Sequence, residues 1–516
     1  MAFSVCDIMQ TLLIANRGEI AVRIIRAARE LGLRTIAVYS KADRGALHTR
    51  LADEAYELGP PEPLQSYLDS ARILDIACTH GADAVHPGYG FLSENAAFAE
   101  DCSNAGLTFV GPSAQAMRQM GSKIVSKEIA KRAGVPVVPS YHTSDVARLA
   151  RQAPQAATRL GYPILVKASA GGGGKGMRMV ERPADLVPAL EAGAREAQQA
   201  FGDSTLFLEK YIARPRHVEI QILCDHFGNR VHLFERECSI QRRHQKIIEE
   251  SPSPALTPEI RERMATAALR LAAAVEYSNA GTVEFLLAPD GTFYFLEMNT
   301  RLQVEHPITE LVTGVDLVHQ QLRVARGERL AFTQEHLVQR GHAIECRLYA
   351  EDPAHGFVPA TGRITVLREP HGPGRRIDSG LALHTEVTPY YDPILAKLVT
   401  YGFTRQEAIC RMQSLLRDYT VLGVTTNRQF LLDVVSSTAF AAGETDTAFL
   451  ERHFATWQPE TMASDEIIAI AALGELLYRQ GRLSERPVPT SSPATGETVL
   501  TPWQRTDGWR VGGGSA

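Results

Sequence analysis

An apolar strand, a helix with its apolar residues at helical spacing, and a second apolar strand open this chain, and that order leaves few folds available. Thr11 to Ala15 reads as a strand. Ile20, Ile24, Ala27 and Leu31 then line one face of a helix that Gly32 ends, and Arg34 to Tyr39 is the next strand. Two further short apolar runs, Ala82 to His86 and Leu107 to Val110, each end in a Pro-Gly or Gly-Pro turn. Strands joined through helices pair in parallel, so the spacing predicts an α/β domain with a doubly wound parallel sheet. The first turn, Asn16-Arg17-Gly18-Glu19, lacks the glycines of a dinucleotide-binding turn. A Rossmann-like shape is expected here, without NAD.

Helices are predicted at about Ala114 to Met120 and Ser122 to Ala133, and a β-rich insert opens at Val135. From Phe207 to Met298 successive hairpins are broken by one helix, Arg261 to Val275, and a mixed α/β region runs from Gly341 to about Phe454. Asp465 to Gln480 reads as a helix with an acidic start, and Arg486 to Thr498 as a Pro/Ser/Thr-rich linker. The net charge of −5 argues against nucleic acid. No apolar run reaches the length of about 18 residues needed to span a membrane. Seven cysteines without a CxxC pair indicate reduced thiols, and Met1 to Gln10 resembles neither a secretory signal nor a transit peptide. A cytoplasmic bacterial location is expected rather than a mitochondrial one. All three tryptophans, Trp457, Trp503 and Trp509, fall near the end of the chain.

Gly171-Gly172-Gly173-Gly174-Lys175-Gly176 contains a GxGxxG pattern, but strand-like segments flank it on both sides, Tyr162 to Ala168 and Met177 to Val180. A dinucleotide loop would lead into a helix, and a P-loop would have Ser or Thr after the lysine, where Gly176 stands. The segment therefore reads as a hairpin tip whose bare backbone N–H groups can cover phosphates and move as a lid.

Thr282 to Asn299 reads as a hairpin with Asp290-Gly291 as a two-residue turn. That register sets Glu284 opposite Glu297, a destabilising juxtaposition that a divalent cation would relieve. Asn299 shares the face and offers a third oxygen, and Arg301, Gln303 and Glu305 continue the alternation.

At this point the chain resembles a known family. Asn16 to Glu19, His86-Pro87-Gly88-Tyr89-Gly90-Phe91-Leu92-Ser93-Glu94-Asn95, the glycine segment, Gln241-Arg242-Arg243-His244-Gln245-Lys246 and Glu297-Met298-Asn299-Thr300-Arg301-Leu302-Gln303-Val304-Glu305-His306 resemble the motifs of biotin carboxylase, an ATP-grasp enzyme, over about residues 10–454. The resemblance implies a Rossmann-like N-terminal domain (1–121), an ATP-grasp domain (122–335) with a mobile lid (about 139–211), and an α/β C-terminal domain (336–454). Residues 455–516, with Trp503 to Trp509, resemble the region of methylcrotonyl-CoA and geranyl-CoA carboxylase α subunits that contacts the carboxyltransferase β subunit. No Ala-Met-Lys-Met biotinylation motif occurs, so a truncated α subunit is expected, with biotin carried on a domain outside this chain.

The implied chemistry is ATP- and bicarbonate-dependent carboxylation of biotin through carboxyphosphate. Glu305 would be the base toward bicarbonate, beside Lys246 and Arg301, with Gln303 and the Val304 backbone holding the anion. Mg²⁺ (or Mn²⁺) would sit on Glu284, Glu297 and Asn299. Lys123, Lys167 and the segment Gly171, Gly172, Gly173, Gly174, Lys175, Gly176 would meet the phosphates. Glu209, Lys210 and Leu286 match adenine-pocket positions, and His217, Gln241 and His244 match ribose and phosphate contacts. Arg347 matches the arginine that stabilises the enolate of biotin, and Tyr89 a biotin-side aromatic. Expected partners are a biotin carboxyl carrier domain, a carboxyltransferase β subunit and a second copy in a homodimer, with neither nucleic acid nor membrane. Cys238 reads as a buried structural thiol, since no base accompanies it. The alternative within the family is the biotin carboxylase component of a propionyl-CoA or acetyl-CoA carboxylase; a different ATP-grasp ligase is disfavoured because Arg347 and the set around Lys246 are both present. A silent nucleotide-binding scaffold is disfavoured because no motif residue is lost.

Overall fold

The four strands expected at the start of the chain are joined by a fifth, Glu54–Gly59, in one parallel sheet. The computed structural model describes residues 9–142, 146–168, 177–202, 204–460 and 464–479. Its first sheet runs in the order Glu54–Gly59, Arg34–Ser40, Thr11–Ile14, Ala84–His86, Thr108–Phe109. The order reverses between Thr11–Ile14 and Ala84–His86, so the carboxyl ends of those two strands open a crevice. Helix Gly18–Glu30 follows the first strand and buries Ile20, Ile24, Ile25 and Ala28 against the sheet.

The two motifs at that crevice hold each other. Asn16 Nδ2 donates to the carbonyls of Pro87 (2.7 Å) and Tyr89 (2.8 Å), and His86 Nδ1 accepts from Gly88 N–H (3.0 Å). Gly88 has φ +63°, and a Cβ there would lie 2.9 Å from Asn16 Nδ2, so this turn requires glycine. Burial lowers the His86 imidazole to about 3, and the neutral ring keeps the lone pair that Gly88 uses. Because the folded value lies below the unfolded one, stability present above about pH 6.5 is lost as pH falls. The thermal midpoint should therefore drop from about pH 7 to about pH 5, with this histidine contributing up to about 1.4 kcal/mol per pH unit. His86→Gln, which stays neutral, should flatten that slope in a melting series; an unchanged slope would exclude His86 as a source.

The second sheet has eight antiparallel strands in the order Phe293–Asn299, Asn279–Leu287, Arg216–Cys224, Arg230–Arg242, Gln245–Ser251, His342–Tyr349, Ile394–Gly402, Arg375–Ser379. Gln245–Ser251 pairs directly with His342–Tyr349, so the sheet runs unbroken past residue 335. One face is apolar. Val218, Ile220, Val283, Phe285 and Phe295 pack against Met264 and Leu271 of helix Pro258–Ala274. Thr257 Oγ1 caps that helix by accepting from Ile260 N–H, with Pro258 in the first turn. The other face is polar and carries the site.

The hairpin turn differs from the expected one. Pro289-Asp290-Gly291 is a three-residue loop, in which Gly291 N–H donates to Ala288 O (3.0 Å) and Ala288 N–H to Thr292 O (2.8 Å). The fixed φ of proline suits the second position of a type I turn, and Gly291 then takes the left-handed step at φ +80°. The extra residue pairs Phe285 with Phe295, and a bulge at Leu296 restores Glu284 opposite Glu297. The two carboxylates face each other, but through a loop and a bulge rather than a two-residue turn.

A four-stranded sheet, ordered Ser140–His142, Leu206–Lys210, Ile164–Ala168, Arg178–Val180, packs with helices Val146–Leu160 and Leu186–Phe201 around Ala153, Ala157, Ile164 and Leu208. Ile164–Ala168 and Arg178–Val180 pair antiparallel on either side of the glycine segment. The expected contacts of Gly171 to Gly176, Lys175 included, lie outside the described residues. The described residues through Pro459 belong to one compact unit. Within it, Trp457 Nε1 donates to Asp433 (2.8 Å) and its ring meets Phe430 edge-on. The second unit contains helix Ser464–Arg479, whose Ile467, Ile468, Ile470 and Leu473 are exposed. Trp503, Trp509 and the expected linker lie outside the described residues. No helix among the described residues is long and apolar enough to cross a membrane.

Candidate active site

Side chains alternate along a strand, and this alternation places one row of charges across the polar face of the large sheet. Arg236, Glu219, Glu284 and Glu297 are successive cross-strand partners in four adjacent strands. Three neighbouring carboxylates would repel strongly without cations. Arg236, wholly buried, donates to Glu219 (2.5 Å), Gln221 (2.6 Å), Thr309 (2.9 Å) and Thr282 (3.1 Å). Lys246 Nζ, from the next strand, donates to Glu219 Oε2 (2.5 Å), Glu284 Oε1 (2.7 Å) and Glu305 Oε1 (2.7 Å). Burial lowers an ammonium, but these three carboxylates hold that of Lys246 well above its ordinary range.

Glu305 occupies the N-cap position of helix His306–Thr313 and is fully buried. Its second oxygen accepts from Arg347 Nη2 (2.9 Å), and Arg347 is anchored in turn by Glu249 (2.6 Å). Burial pushes the Glu305 carboxyl up, yet Lys246, Arg347 and Arg236 hold it well below the usual carboxylate range. Arg301 donates to Gln303 Oε1 (3.0 Å) and Asn299 Oδ1 (3.0 Å), and Glu94 fixes its Nε at 2.8 Å. The Val304 carbonyl accepts from Lys397 (3.1 Å), and Tyr89 donates to Glu19.

This face borders a cleft of about 750 Å³. Every described candidate residue lines it except Glu305, which lies behind Lys246 and Arg347. At the other end of the cleft Glu209, almost wholly buried, accepts from both Lys127 and Lys167. Lys210 Nζ donates to the carbonyls of Gly161 (2.6 Å) and Tyr162 (3.3 Å). Burial lowers the Lys123 ammonium, with Glu297 opposing. His217 Nε2 stands 2.9 Å from Glu284 Oε2, and its Nδ1 meets Gln241 Nε2 at 3.0 Å. Burial lowers this imidazole, but Glu284 outweighs it and the ring titrates above its ordinary value. His244, with φ +66°, and Leu286 complete the wall. Burial raises the Cys238 thiol well above its ordinary value, so the thiol stays protonated.

Sequence reasoning misses three carboxylate partners: Glu219 on Lys246, Glu94 on Arg301 and Glu249 on Arg347. Glu219 has a signal, since His217-x-Glu219-x-Gln221 alternates polar residues through an otherwise apolar strand. The structure places the expected metal set, Glu284, Glu297 and Asn299, along one cleft. Asn299 turns Nδ2 to Glu284 Oε1 (2.8 Å) and its oxygen to Arg301, so it presents no oxygen beside the carboxylates. Among the described residues, the groups of three ligand atoms within 4.8 Å of one another are those of His217, Glu219 and Glu284, and of Glu219, Cys238 and Glu305. Neither group contains Glu297, and the oxygens of Glu284 are held by Lys246, Asn299, Gln303 and His217. Glu297 itself lines the cleft, its carboxyl pushed up by burial and by the charge on Glu284. Two hard carboxylates in that relation suit a divalent cation such as Mg²⁺.

A mixed sheet-and-helix frame that sets lysines and arginines around carboxylates in one deep cleft defines an enzyme built to handle polyanions. Comparison with known proteins specifies it. Residues 8–117 match the biotin carboxylase N-terminal domain, 122–333 the ATP-binding domain of the carbamoyl-phosphate synthase L chain, and 345–452 the biotin carboxylase C-terminal domain. A pyruvate carboxylase subunit of Methanothermobacter thermautotrophicus is 53% identical, over 86% of this chain and 89% of its own. The alpha subunit of methylcrotonoyl-CoA carboxylase from Dictyostelium discoideum is 46% identical, over 97% of this chain and 70% of its own. Among solved structures, the biotin carboxylase domain dimer of Hydrogenobacter thermophilus 2-oxoglutarate carboxylase, in complex with MgADP and bicarbonate, superposes with TM-score 0.84 at 46% identity, covering 88% of this chain and 100% of that one. The chain belongs to the biotin carboxylase family. It is an ATP-dependent carboxylating ligase, the biotin carboxylase component of a biotin-dependent carboxylase.

Proposed function

We propose that Glu305 is the base that deprotonates bicarbonate as its oxygen attacks the γ-phosphorus of ATP. The observation that carries this is the grip of Lys246 and Arg347 on the two oxygens of Glu305. A carboxylate so held is a weak base. A bound anion that takes over those cations would raise its proton affinity in the same step. Arg301, Gln303 and the Val304 backbone would orient the anion beside Lys246. Lys123 and Lys167 would meet the phosphates, with Gly171 to Gly176 and Lys175 covering them. Glu209, Lys210, Leu286, His217, Gln241 and His244 would form the nucleoside end. Glu284 and Glu297 would hold Mg²⁺, which offsets charge on the phosphates; Asn299 would have to turn its amide to join them.

The attack forms a C–O–P linkage and releases ADP, with the bicarbonate proton on Glu305. Breakdown of carboxyphosphate gives CO₂ and phosphate, and the phosphate takes the ureido proton while the nitrogen attacks CO₂. Arg347 and Tyr89 would position the acceptor ring, presented by a carrier domain, and the product would pass to a carboxyltransferase. A homodimer is proposed, as in the Hydrogenobacter thermophilus structure.

The acyl acceptor we propose is of the methylcrotonyl-CoA or geranyl-CoA type. The similarity to the Dictyostelium discoideum protein extends over 97% of the chain, against 86% for the pyruvate carboxylase relative, and Trp503 to Trp509 supports the same reading. Reconstitution with a biotinylated carrier and carboxyltransferases of each type tests it. Carboxylation of 3-methylcrotonyl-CoA or geranyl-CoA is expected, and turnover confined to propionyl-CoA, acetyl-CoA or pyruvate would reject it.

A further inference from the structure

Behind Arg347 lies a pair of acids that the reaction above does not use. Glu249 in strand Gln245–Ser251 and Glu345 in strand His342–Tyr349 are direct cross-strand partners, and both are fully buried. Such partners have Cβ atoms roughly 5 Å apart on one face of the sheet. Glu249 Oε1 accepts from Arg347 Nε at 2.6 Å, while Glu249 Oε2 and both oxygens of Glu345 have no hydrogen-bond partner among the described residues. Two ionised carboxylates so placed, with three unmatched buried oxygens, would be strongly unfavourable. One proton held between Glu249 Oε2 and one oxygen of Glu345 relieves the repulsion and satisfies two of the three oxygens, leaving a single negative charge on Arg347.

We propose that Glu249 and Glu345 share one proton and act together as a positioning pair, holding Arg347 toward Glu305. The charges around the pair support a single negative charge. Lys246 lies on the strand of Glu249, Arg347 on that of Glu345, Lys397 on the adjoining strand Ile394–Gly402, and Glu305 at the start of helix His306–Thr313. Burial raises the Glu249 carboxyl to about 7 against the pull of Arg347, and burial with the charge of Glu249 raises Glu345 well above the usual range.

The proposal rests on the biotin carboxylase reading for its kinetic consequence and not for its protonation state, so two readouts separate them. Infrared difference spectra at neutral pH, wild type minus Glu345→Gln, should show loss of a protonated-carboxyl C=O band. Glu249→Gln should lose the same band, because without its partner Glu345 ionises beside Arg347. A band that survives in Glu345→Gln would overturn the proposal. One lost in Glu345→Gln but kept in Glu249→Gln would mean a lone neutral acid and also overturn it. In bicarbonate-dependent ATP hydrolysis, Glu249→Gln should lower kcat by about 10- to 100-fold with little change in KM for ATP. Glu345→Gln, whose amide still donates to Glu249, should lose at least about tenfold less. Equal losses in the two variants would reduce the pair to packing and contradict the positioning role. If Glu345→Gln fails to fold, Glu345→Asp, which draws the carboxyl back from Glu249, takes its place: the band should shift or vanish, and an unmoved band would overturn the proposal.

Discussion

Glu305→Gln is expected to lower bicarbonate-dependent ATP hydrolysis by about 10²- to 10⁴-fold, the usual contribution of a positioned general base. The amide still fits the space between Lys246 and Arg347, and its oxygen still accepts a hydrogen bond, so nucleotide binding should survive. On the proposed mechanism, what is lost is a site for the bicarbonate proton. Steady-state kinetics would then show kcat collapsing while KM for ATP moves little. A variant with full turnover would remove Glu305 as the base and require another acceptor for that proton.

Lys246→Met should have an effect of similar size on turnover and a larger one on stability. Its ammonium touches Glu219, Glu284 and Glu305 at once, and those side chains are almost entirely buried. Removing one partner of a buried ionic cluster leaves uncompensated charge and costs about 3–5 kcal/mol. In the wild type Glu284 and Glu305 titrate below the ordinary carboxylate range, burial opposing and Lys246 prevailing among the groups that lower them. Their contribution is therefore present above the unfolded value, about pH 4.3, and lost as pH falls. The deficit of the variant should be greatest near neutral pH and shrink in acid, where the carboxylates take up protons. Denaturant titrations at several pH values measure this directly. A deficit independent of pH would show that Lys246 stabilises by packing alone.

What can be read from sequence follows the range of the interactions involved. The parallel sheet is legible because Ile20, Ile24 and Ala27 repeat at short spacing between two apolar strands. Glu284 and Glu297 are legible because one hairpin joins them. Even there the turn departs from expectation, since Pro289 favours a three-residue loop and the bulge at Leu296 restores the pairing. The ion clusters are different. Lys246 meets Glu305 across 59 positions, Arg347 meets Glu249 across 98, and Arg301 meets Glu94 across 207. Each such pairing joins segments far apart in the chain, through strand register for Arg347 and Glu249 and through loops or a helix start for the others, which local periodicity does not encode. The orientation of the Asn299 amide is similarly decided by Arg301 and Glu284 together. Motif resemblance supplies the members of the candidate site; only the assembled fold shows which carboxylate answers which cation.

ATP hydrolysis by the purified chain, measured with and without bicarbonate and with and without free biotin, tests the biotin carboxylase assignment most directly. Turnover should require bicarbonate and rise when free biotin is added, since the cleft is built to activate the first and pass its carboxyl group to the second. Hydrolysis indifferent to both additions would contradict the assignment.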